Sequence, residues 1–507
     1  MIKNFKWLFL VSLTFIACSE DDEVITYDST DGLPLTSGTA DFSKYVALGD
    51  SFAAGWSDNA LFIEGQKGAY PNIIAQQFAL VGGGAFTTPF MADNIGGLLL
   101  GGNVIQGPRL YFNGTAPVPV AGPPTTEVTT PLTGSFNNMG VPGAKSFHLL
   151  APGYGNAAGV AAGTASPYFS RFSSSSTATV LADALSQTPT FFSLWIGGND
   201  VLGYATSGGA ASNPITPTAT FDAAYNGLAS QLAAGGRKGV VANLPYVNTL
   251  PFFTTVPTNP IPGLSPTQAG QLNFLFGGIN SALAGASLPP RFATIVADDG
   301  NPETTERNPL LIIDESLPNI STQITAALTA TLGPTTAAFV GGLYGQARHA
   351  SNATATRDYI LLPAQTVIGT TQSGAPASFS TIGVTYPMQD PTTLTAAEAL
   401  EIKNATDSYN ITIQAAATAN GLAFVDATAI MNQLSSTAGI TANNFTLTAN
   451  FVTGGAFSLD GVHPSPRGYA LIANKFIEAI NAKYGSNLKG VNLGNYRILF
   501  PQNPANF

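Results

Sequence analysis

Two short apolar runs, each ending in a cluster of small polar residues, constrain the fold of this chain most strongly. Residues 44–48 (KYVAL) lead into residues 49–51 (GDS), and residues 191–196 (FFSLWI) lead into residues 197–200 (GGND). A short apolar run closed by a turn is typical of a buried strand. The sequence therefore predicts two strands that end in side chains capable of chemistry.

Further strands and helices alternate along the rest of the chain. Strands are predicted at residues 239–244 and 422–425. Helices are predicted from the spacing of apolar residues, and they span residues 71–80, 221–234, 396–419 and 466–484. This alternation predicts an α/β fold with a mostly parallel sheet. Ligands in such sheets bind at the carboxyl ends of the strands, where residues 49–51 and 197–200 are expected to lie.

Two long stretches do not follow this alternation of strands and helices. Residues 81–136 are rich in Gly, Pro and Thr, and residues 246–395 contain short strand-like runs at 294–297, 310–313 and 359–362. We interpret both as insertions in a single domain that spans residues 42–490, followed by a tail at 491–507.

The composition excludes several classes of protein. Charged residues make up only 9% of the 507 residues, and 45% are apolar, which is too apolar a balance for an intrinsically disordered chain. The 19 Lys and Arg and 29 Asp and Glu give a net charge of −10. Because the chain is acidic and has no basic run, a nucleic-acid partner is not expected.

The first residues have the pattern of a bacterial lipoprotein signal peptide. Lys3 and Lys6 precede an apolar run at residues 7–17. This run is too short to span a bilayer of about 30 Å at 1.5 Å per residue. Cys18, the only cysteine, follows directly, and residues 15–18 (FIAC) resemble a lipobox, in which the cysteine is acylated. The alternative is an ordinary signal peptide with an incidental cysteine.

Residues 18–41 are predicted to be an acidic and polar tether. The acidic run at 19–23 resembles the tag that directs lipoproteins to the cell surface in Bacteroidetes, although a plain solvated linker has the same composition. The predicted location is the cell envelope, with a lipid anchor in the outer membrane, and the domain exposed at the surface if the tag is genuine. The single cysteine also excludes intrachain disulfides and metal sites built on several thiolates.

The candidate catalytic residues follow from a short list of bases. A general base near neutral pH is most often His, and the chain has three, His148, His349 and His463. Asp460 precedes His463 by three residues on a predicted turn and can orient its imidazole, although a plain helix-entry turn has the same pattern. Ser51 at a strand end can act as a nucleophile or only as a helix N-cap.

Considered together, four blocks are more specific than any one of them. They are residues 49–51 (GDS), 137–144 (NNMGVPGA), 197–200 (GGND) and 460–463 (DGVH), in this order. The set resembles the SGNH/GDSL hydrolase family. The resemblance implies a three-layer α/β/α fold with a flavodoxin-like sheet and a serine esterase or lipase that needs no cofactor or metal.

The resemblance also implies roles for individual residues. Ser51 would be the nucleophile, His463 the base and Asp460 its orienting acid. The backbone N–H groups of Ser51 and Gly143 and the side-chain amide of Asn199 would form the oxyanion hole. The chain departs from the usual pattern where Phe52 replaces the Leu that follows the serine.

The other polar candidates are expected to be structural. His148 is predicted to be a partly buried residue without a catalytic role, and His349 to lie on the surface of an insertion. Asp50, Asp200 and Asp426 are predicted to hold turns by hydrogen bonds.

The substrate is left open by these residues. The first expectation is an esterase or lipase that acts on small-molecule or lipid esters, and the second is a carbohydrate acetylesterase that acts on acylated glycans. An inactive surface binding protein on the same scaffold is the third. Several apolar residues in the insertions can line an acyl pocket or a lid, or can simply pack there: Phe86, Phe90, Met91, 98–100, Phe252, Phe253, Phe274 and Phe276. The sequence does not indicate an oligomeric state.

Overall fold

The computed structural model describes residues 32–503. The core of this structure is a five-stranded parallel sheet. Its five strands are β1 (Tyr45–Gly49), β2 (Asn138–Gly140), β3 (Phe191–Trp195), β4 (Lys238–Ala242) and β5 (Ala423–Val425). They lie in the order β2-β1-β3-β4-β5, and every neighbouring pair is parallel. This is the flavodoxin-like strand order. The predicted signal peptide, Cys18 and residues 18–31 of the predicted tether lie outside the described residues.

The composition of the central strands follows from their position. All five residues of β1 and all five of β3 are buried. A parallel sheet covered on both faces needs apolar side chains on both faces, so its strands are continuous apolar runs rather than alternating patterns. This is why the two runs that end in polar turns are so clear in the sequence.

Thirteen α-helices occur in the described residues, besides several short 3₁₀ helices. They are α1 (Ser51–Ala54), α2 (Ile63–Lys67), α3 (Tyr70–Ala79), α4 (Val180–Ser186), α5 (Asn199–Thr206), α6 (Thr218–Ala233), α7 (Pro251–Thr254), α8 (Pro266–Gly285), α9 (Ser321–Leu332), α10 (Pro334–Tyr344), α11 (Ala396–Ala419), α12 (Ala427–Leu434) and α13 (Pro466–Tyr484). Helices α3 and α13 pack together, as do α6 and α11, and both α11 and α13 contact β4 and β5. The predicted three-layer α/β/α fold is confirmed.

Six short antiparallel strand pairs decorate this core. They are Leu98–Leu100 with Asn103–Gln106, Leu110–Phe112 with Pro117–Pro119, Ile261–Pro262 with Arg307–Asn308, Leu311–Ile313 with Ala347–His349, Tyr359–Ile360 with Thr393–Leu394, and Ile440–Ala442 with Phe445–Leu447. The strand expected at 294–297 is wrong, because only Ala297 forms an isolated bridge, to Leu264. The stretch from 81 to 136 contains two of the pairs and no helix.

Helices α8, α9 and α10 lie inside the stretch that the sequence analysis treats as an insertion with strand-like runs. They enclose a hydrophobic cluster of their own, which includes Phe276, Phe292 and Tyr344 and is separate from the main core. The stretch therefore has its own core, which the sequence analysis did not predict.

Both ends of the described chain contact the domain. Within the predicted tether, the Thr39 N–H donates to the carbonyl of Tyr484 at the end of α13 (2.9 Å). In the predicted tail, the Pro501 carbonyl accepts a hydrogen bond from the buried side chain of Arg109 (2.7 Å). Between residues 32 and 503, none of the helices combines the length and the hydropathy that a bilayer crossing requires.

Candidate active site

Strand register brings three of the sequence blocks to one edge of the sheet. Gly49 at the end of β1 is the register partner of both Gly140 on β2 and Trp195 on β3. Ser51 follows Gly49 by two residues, and the segments after β2 and β3 carry Gly143 and Asn199. The three segments therefore leave the sheet side by side, at the point where the strand order reverses and where such folds bind ligands.

Ser51 occupies the first position of α1. Asp50 caps this helix, because its carboxylate accepts a hydrogen bond from the Phe52 N–H (3.0 Å). Burial raises the pKa of Asp50 to about 7, and the hydrogen bond from Phe52 and the nearby His463 only partly oppose this. Asp50 thus holds the turn that presents Ser51, which is itself only 5% exposed.

His463 joins Ser51 to Asp460. Its Nε2 lies 2.8 Å from the Ser51 Oγ, and its Nδ1 lies 2.8 Å from Asp460 Oδ2. The spacing of three residues between Asp460 and His463 is satisfied by a tight turn, in which Asp460 Oδ1 also accepts from the N–H groups of Val462 (2.9 Å) and His463 (2.8 Å). Gly461 adopts a φ of 72°, which favours glycine, at the centre of this turn. The chain then enters α13, whose first turn is capped by Ser465.

The environment of Asp460 favours its charged form. Burial opposes ionisation, but the neighbouring His463 and the hydrogen bonds donated by His463 and Val462 outweigh it and hold the pKa below its usual value. An ionised carboxylate at Nδ1 fixes the imidazole tautomer that leaves Nε2 free to accept a proton from Ser51. The arrangement can therefore turn a serine hydroxyl into a nucleophile.

The predicted oxyanion-hole residues form a second connected group. Gly143 has a φ of 77° in an exposed turn after β2. Asn199 begins α5, and one hydrogen of its Nδ2 is donated to the carbonyl of Ala144 (3.0 Å), which leaves the amide oriented by the segment that carries Gly143. The buried carboxylate of Asp200 accepts from both the N–H (2.8 Å) and the Oγ (2.9 Å) of Ser146, so the two segments are joined twice.

Aromatic rings surround the imidazole. The rings of Phe52 and Trp56 have their centroids 5.3 Å and 5.7 Å from that of His463. Trp56 in turn packs edge-on against Tyr168. These contacts limit the rotation of the imidazole and exclude water from part of its surface.

Asp58 is the residue near the site that sequence reasoning missed. Its Oδ1 accepts from the Leu459 N–H (2.9 Å), its own N–H donates to the Ser458 Oγ (3.0 Å), and that hydroxyl donates to Asp460 Oδ1 (3.1 Å). The next residue, Asn59, donates its N–H to Asp460 Oδ2 (3.2 Å). Both Asp58 and Asn59 have positive φ, a conformation in which Asp and Asn are enriched, so the SDN sequence at 57–59 was the available signal.

Burial raises the pKa of Asp58 to about 7, with the hydrogen bond from Leu459 and the charge of Arg109 opposing the shift and Asp460 adding to it. Asp58 is 1% exposed, and its Oδ2 has no hydrogen-bond partner among the described residues. Asp58 is therefore a second buried carboxyl group, and it is connected through Ser458 to the Asp460 carboxylate that contacts His463.

The other two histidines have structural environments. The Nδ1 of the half-buried His148 accepts from the Lys145 N–H (3.1 Å), and its ring stacks on Tyr154. Burial lowers the pKa of His148 to about 4, with Lys145 adding to the shift. The surface position expected for His349 is wrong. It ends a strand, is 8% exposed and packs against Phe276 because the inserted helices have a core of their own.

The remaining predicted polar residues do not join the site. Asp426 caps α12 by accepting from the Ala429 N–H (3.0 Å). Three acidic side chains elsewhere, Asp298, Asp299 and Glu306, have oxygens within 4.8 Å of one another on a largely exposed loop. They include none of the residues around Ser51.

A comparison with protein families supports the relationship that the four blocks suggest. The family model described as GDSL-like Lipase/Acylhydrolase matches residues 297–476. Residues 297–476 are therefore similar to this family of hydrolases. The matched part includes Asp460 and His463, while Ser51, Gly143 and Asn199 lie outside it. It also runs through residues 297–395, which the four sequence blocks leave uncovered.

A GDSL-like lipase/acylhydrolase domain indicates a carboxylic ester hydrolase, with the general activity of an esterase or lipase-type acylhydrolase. No curated protein and no solved structure matches the chain in the same comparisons.

Proposed function

We propose that this protein cleaves carboxylic esters through an acyl-enzyme formed on Ser51. His463 Nε2 takes the proton of the Ser51 hydroxyl as the oxygen attacks the ester carbonyl. The same imidazole then gives this proton to the departing alcohol, which leaves the acyl group on Ser51. A water molecule, deprotonated by His463, attacks the acyl-enzyme, and the carboxylic acid leaves as Ser51 regains its proton.

The observation that carries this proposal is the continuous chain of contacts from Asp460 through His463 to Ser51, with 2.8 Å at each step. A hydroxyl is a weak nucleophile unless a base is within reach, and these distances meet that requirement. The lowered pKa of Asp460 adds the negative charge that stabilises the imidazolium formed during attack.

The oxyanion hole is the second part of the proposal. The N–H groups of Ser51 and Gly143 and the Asn199 amide would donate to the carbonyl oxygen as it becomes negative. Asn199 is supported by the bond from its Nδ2 to Ala144, which fixes the plane of the amide before substrate arrives. Preorganised donors of this kind commonly account for about 10²–10³ in kcat each.

The test uses the protein that starts after Cys18, with p-nitrophenyl acetate and butyrate as substrates. Ser51→Ala is expected to lose at least about 10³ of kcat. Ser230→Ala, on the exposed side of α6, is the matched control and should retain full activity. A small fluorophosphonate should label the wild type once, on Ser51. Equal turnover by wild type and Ser51→Ala would overturn the mechanism and favour a binding protein.

The Asp460→Asn variant tests whether the Asp460 carboxylate orients the His463 imidazole or only supports the fold. The amide keeps the size of the side chain but removes the charge at the imidazole, so kcat is expected to fall by up to about 10⁴ while the fold is retained. Circular dichroism checks the fold. An Asp460→Asn variant with wild-type kcat would show that His463 does not need this partner.

We also propose that the chain is anchored to the outer membrane through acylated Cys18. The support is the sequence alone, namely the apolar run at 7–17 and the single cysteine directly after it. Two or more acyl chains give a stable anchor. Metabolic labelling with palmitate should mark the wild-type protein and not Cys18→Ser, and unlabelled wild-type protein in the soluble fraction would refute the anchor.

A further inference from the structure

An apolar cavity of about 50 Å³ lies next to the residues that carry the reacting groups. Its walls come from the ends of β3 and β5, from α12 and α13, and from Phe52. Every residue that lines it is apolar or glycine. The single polar atom of the Trp195 side chain is turned away from it, because its Nε1 donates to the carbonyl of Asn243 (3.1 Å).

The cavity offers nothing to which water could bond. A buried water needs two to four polar partners, and cavities without them stay dry and take apolar molecules. Since close packing is the rule inside proteins, an unfilled apolar space beside a nucleophile calls for an occupant.

Two of the lining residues connect the cavity to the site. Phe52 directly follows Ser51, and Pro464 directly follows His463. The Phe52 ring contacts both the imidazole, with centroids 5.3 Å apart, and the Trp195 ring, with centroids 5.0 Å apart. Phe52 is partly exposed, so one side chain borders both the reacting groups and the apolar space.

We propose that this cavity binds the acyl chain of the ester, with Phe52 as the side chain that admits it. The proposal rests on the proposed function of Ser51. In the acyl-enzyme the acyl group is bonded to the Ser51 Oγ, so its chain stays within reach of the neighbouring Phe52. The alcohol must leave to solvent, and a space lined by apolar core side chains is less suited to that purpose.

The size of the cavity defines the substrate class. One water-sized group needs about 10–15 Å³ in this measure, so 50 Å³ holds three to five such groups. That is the chain of a butyryl or hexanoyl ester. An acetyl group would leave the cavity empty, and a long-chain lipid acyl group would not fit. None of the insertion residues that the sequence suggested for an acyl pocket lines this cavity.

The test is the chain-length profile of kcat/KM for p-nitrophenyl acetate, butyrate, hexanoate and octanoate. Transfer of each methylene into the cavity should raise kcat/KM about fourfold until the space is full. The wild-type profile is therefore expected to rise from acetate to butyrate by about 15-fold and to stop rising by octanoate.

Two cavity variants and one control sharpen the test. Ala427→Leu fills the space from α12 and should lower the butyrate-to-acetate ratio of kcat/KM up to about 15-fold, since about two methylene positions are lost. Met431→Ala enlarges the space and should raise the octanoate-to-butyrate ratio. Ala415→Leu makes the same change on the exposed side of α11 and should leave both ratios unchanged.

The outcomes distinguish this inference from the proposed mechanism. If Ser51→Ala is as active as wild type, the mechanism fails and the cavity inference fails with it. If activity depends on Ser51 but the ratios of Ala427→Leu and Met431→Ala equal those of wild type, the cavity is a packing void and only this inference is overturned. Should Ala427→Leu not fold, Ile430→Phe carries the same test from a partly buried position.

Discussion

Replacement of Asp58 by Asn tests whether the burial of the Asp58 carboxyl group lowers the free energy of unfolding when this group is ionised. Asn keeps an oxygen that can accept the bond from the Leu459 N–H but cannot ionise. Burial raises the pKa of Asp58 from 3.8 to about 7. A carboxyl group whose pKa is raised by folding stabilises the protein below its unfolded pKa, and this contribution is lost as pH rises through the folded pKa.

The magnitude follows from the size of the shift. About three pKa units at 1.36 kcal/mol each give an upper value of about 4 kcal/mol. Between pH 4 and pH 7 the wild type should therefore lose up to about 4 kcal/mol of unfolding free energy relative to Asp58→Asn, and the difference should be constant above pH 8.

The assay is urea unfolding of both proteins at half-unit intervals from pH 4 to pH 8.5. Asp460→Asn is the matched contrast, because the pKa of Asp460 is lowered from 3.8 and its contribution to stability is lost only as pH falls below this value. Between pH 4 and pH 8.5 its difference from wild type in carboxylate linkage should therefore stay constant, whereas that of Asp58→Asn should change. A stability difference between wild type and Asp58→Asn that does not change with pH would refute the reasoning.

Three further predictions follow from the site and its surroundings. Asn199→Ala removes the amide that is held by Ala144, and steady-state kinetics should show kcat lower by about 10²–10³ with little change in the melting temperature. Gly140→Ala would place a Cβ 2.3 Å from the Ala54 backbone nitrogen, so unfolding assays should show a loss of at least about 1–3 kcal/mol together with a loss of esterase activity. Burial lowers the pKa of His349 to about 4, so wild type should lose stability relative to His349→Gln as pH falls from about 6.5 to 4 in urea unfolding.

The parts of the fold that the sequence predicted are those with strong local signals. Strands β1 and β3 are continuous apolar runs because both faces of the sheet are covered. Helices α11 and α13 begin and end at the residues that the sequence analysis predicted. Strand β2 was missed because it has only three residues and begins with Asn138, so it has neither the length nor the composition of a strand.

The helices of the inserted stretch were missed for a different reason. Helix α8 contains four glycines, which weaken the helical signal, although Ser265 and Gln268 form a capping box at its start. That box, followed by Pro266 at the first helical position, was a start signal present in the sequence. The short apolar runs nearby at 310–313 and 359–362 do contain strands, Leu311–Ile313 and Tyr359–Ile360.

Only those residues of the site that belong to a recognisable sequence motif could be predicted. Ser51, Asp460 and His463 belong to blocks with a recognisable order, and the structure brings these three side chains into contact. Asp58 depends on contacts with Ser458 and Leu459, about 400 residues away along the chain, so no local pattern reveals its environment. The apolar cavity is likewise a product of packing among distant elements.

The proposed nucleophile, Ser51, and its proposed base, His463, are 412 residues apart along the chain. During synthesis the serine is therefore made long before the imidazole that contacts it. Under the proposed mechanism, a nascent molecule that ends before His463 carries a serine without its base, and ester cleavage cannot begin until the turn with Asp460 and His463 has docked beside Ser51. Proteolytic loss of that turn would silence the enzyme while leaving the serine untouched.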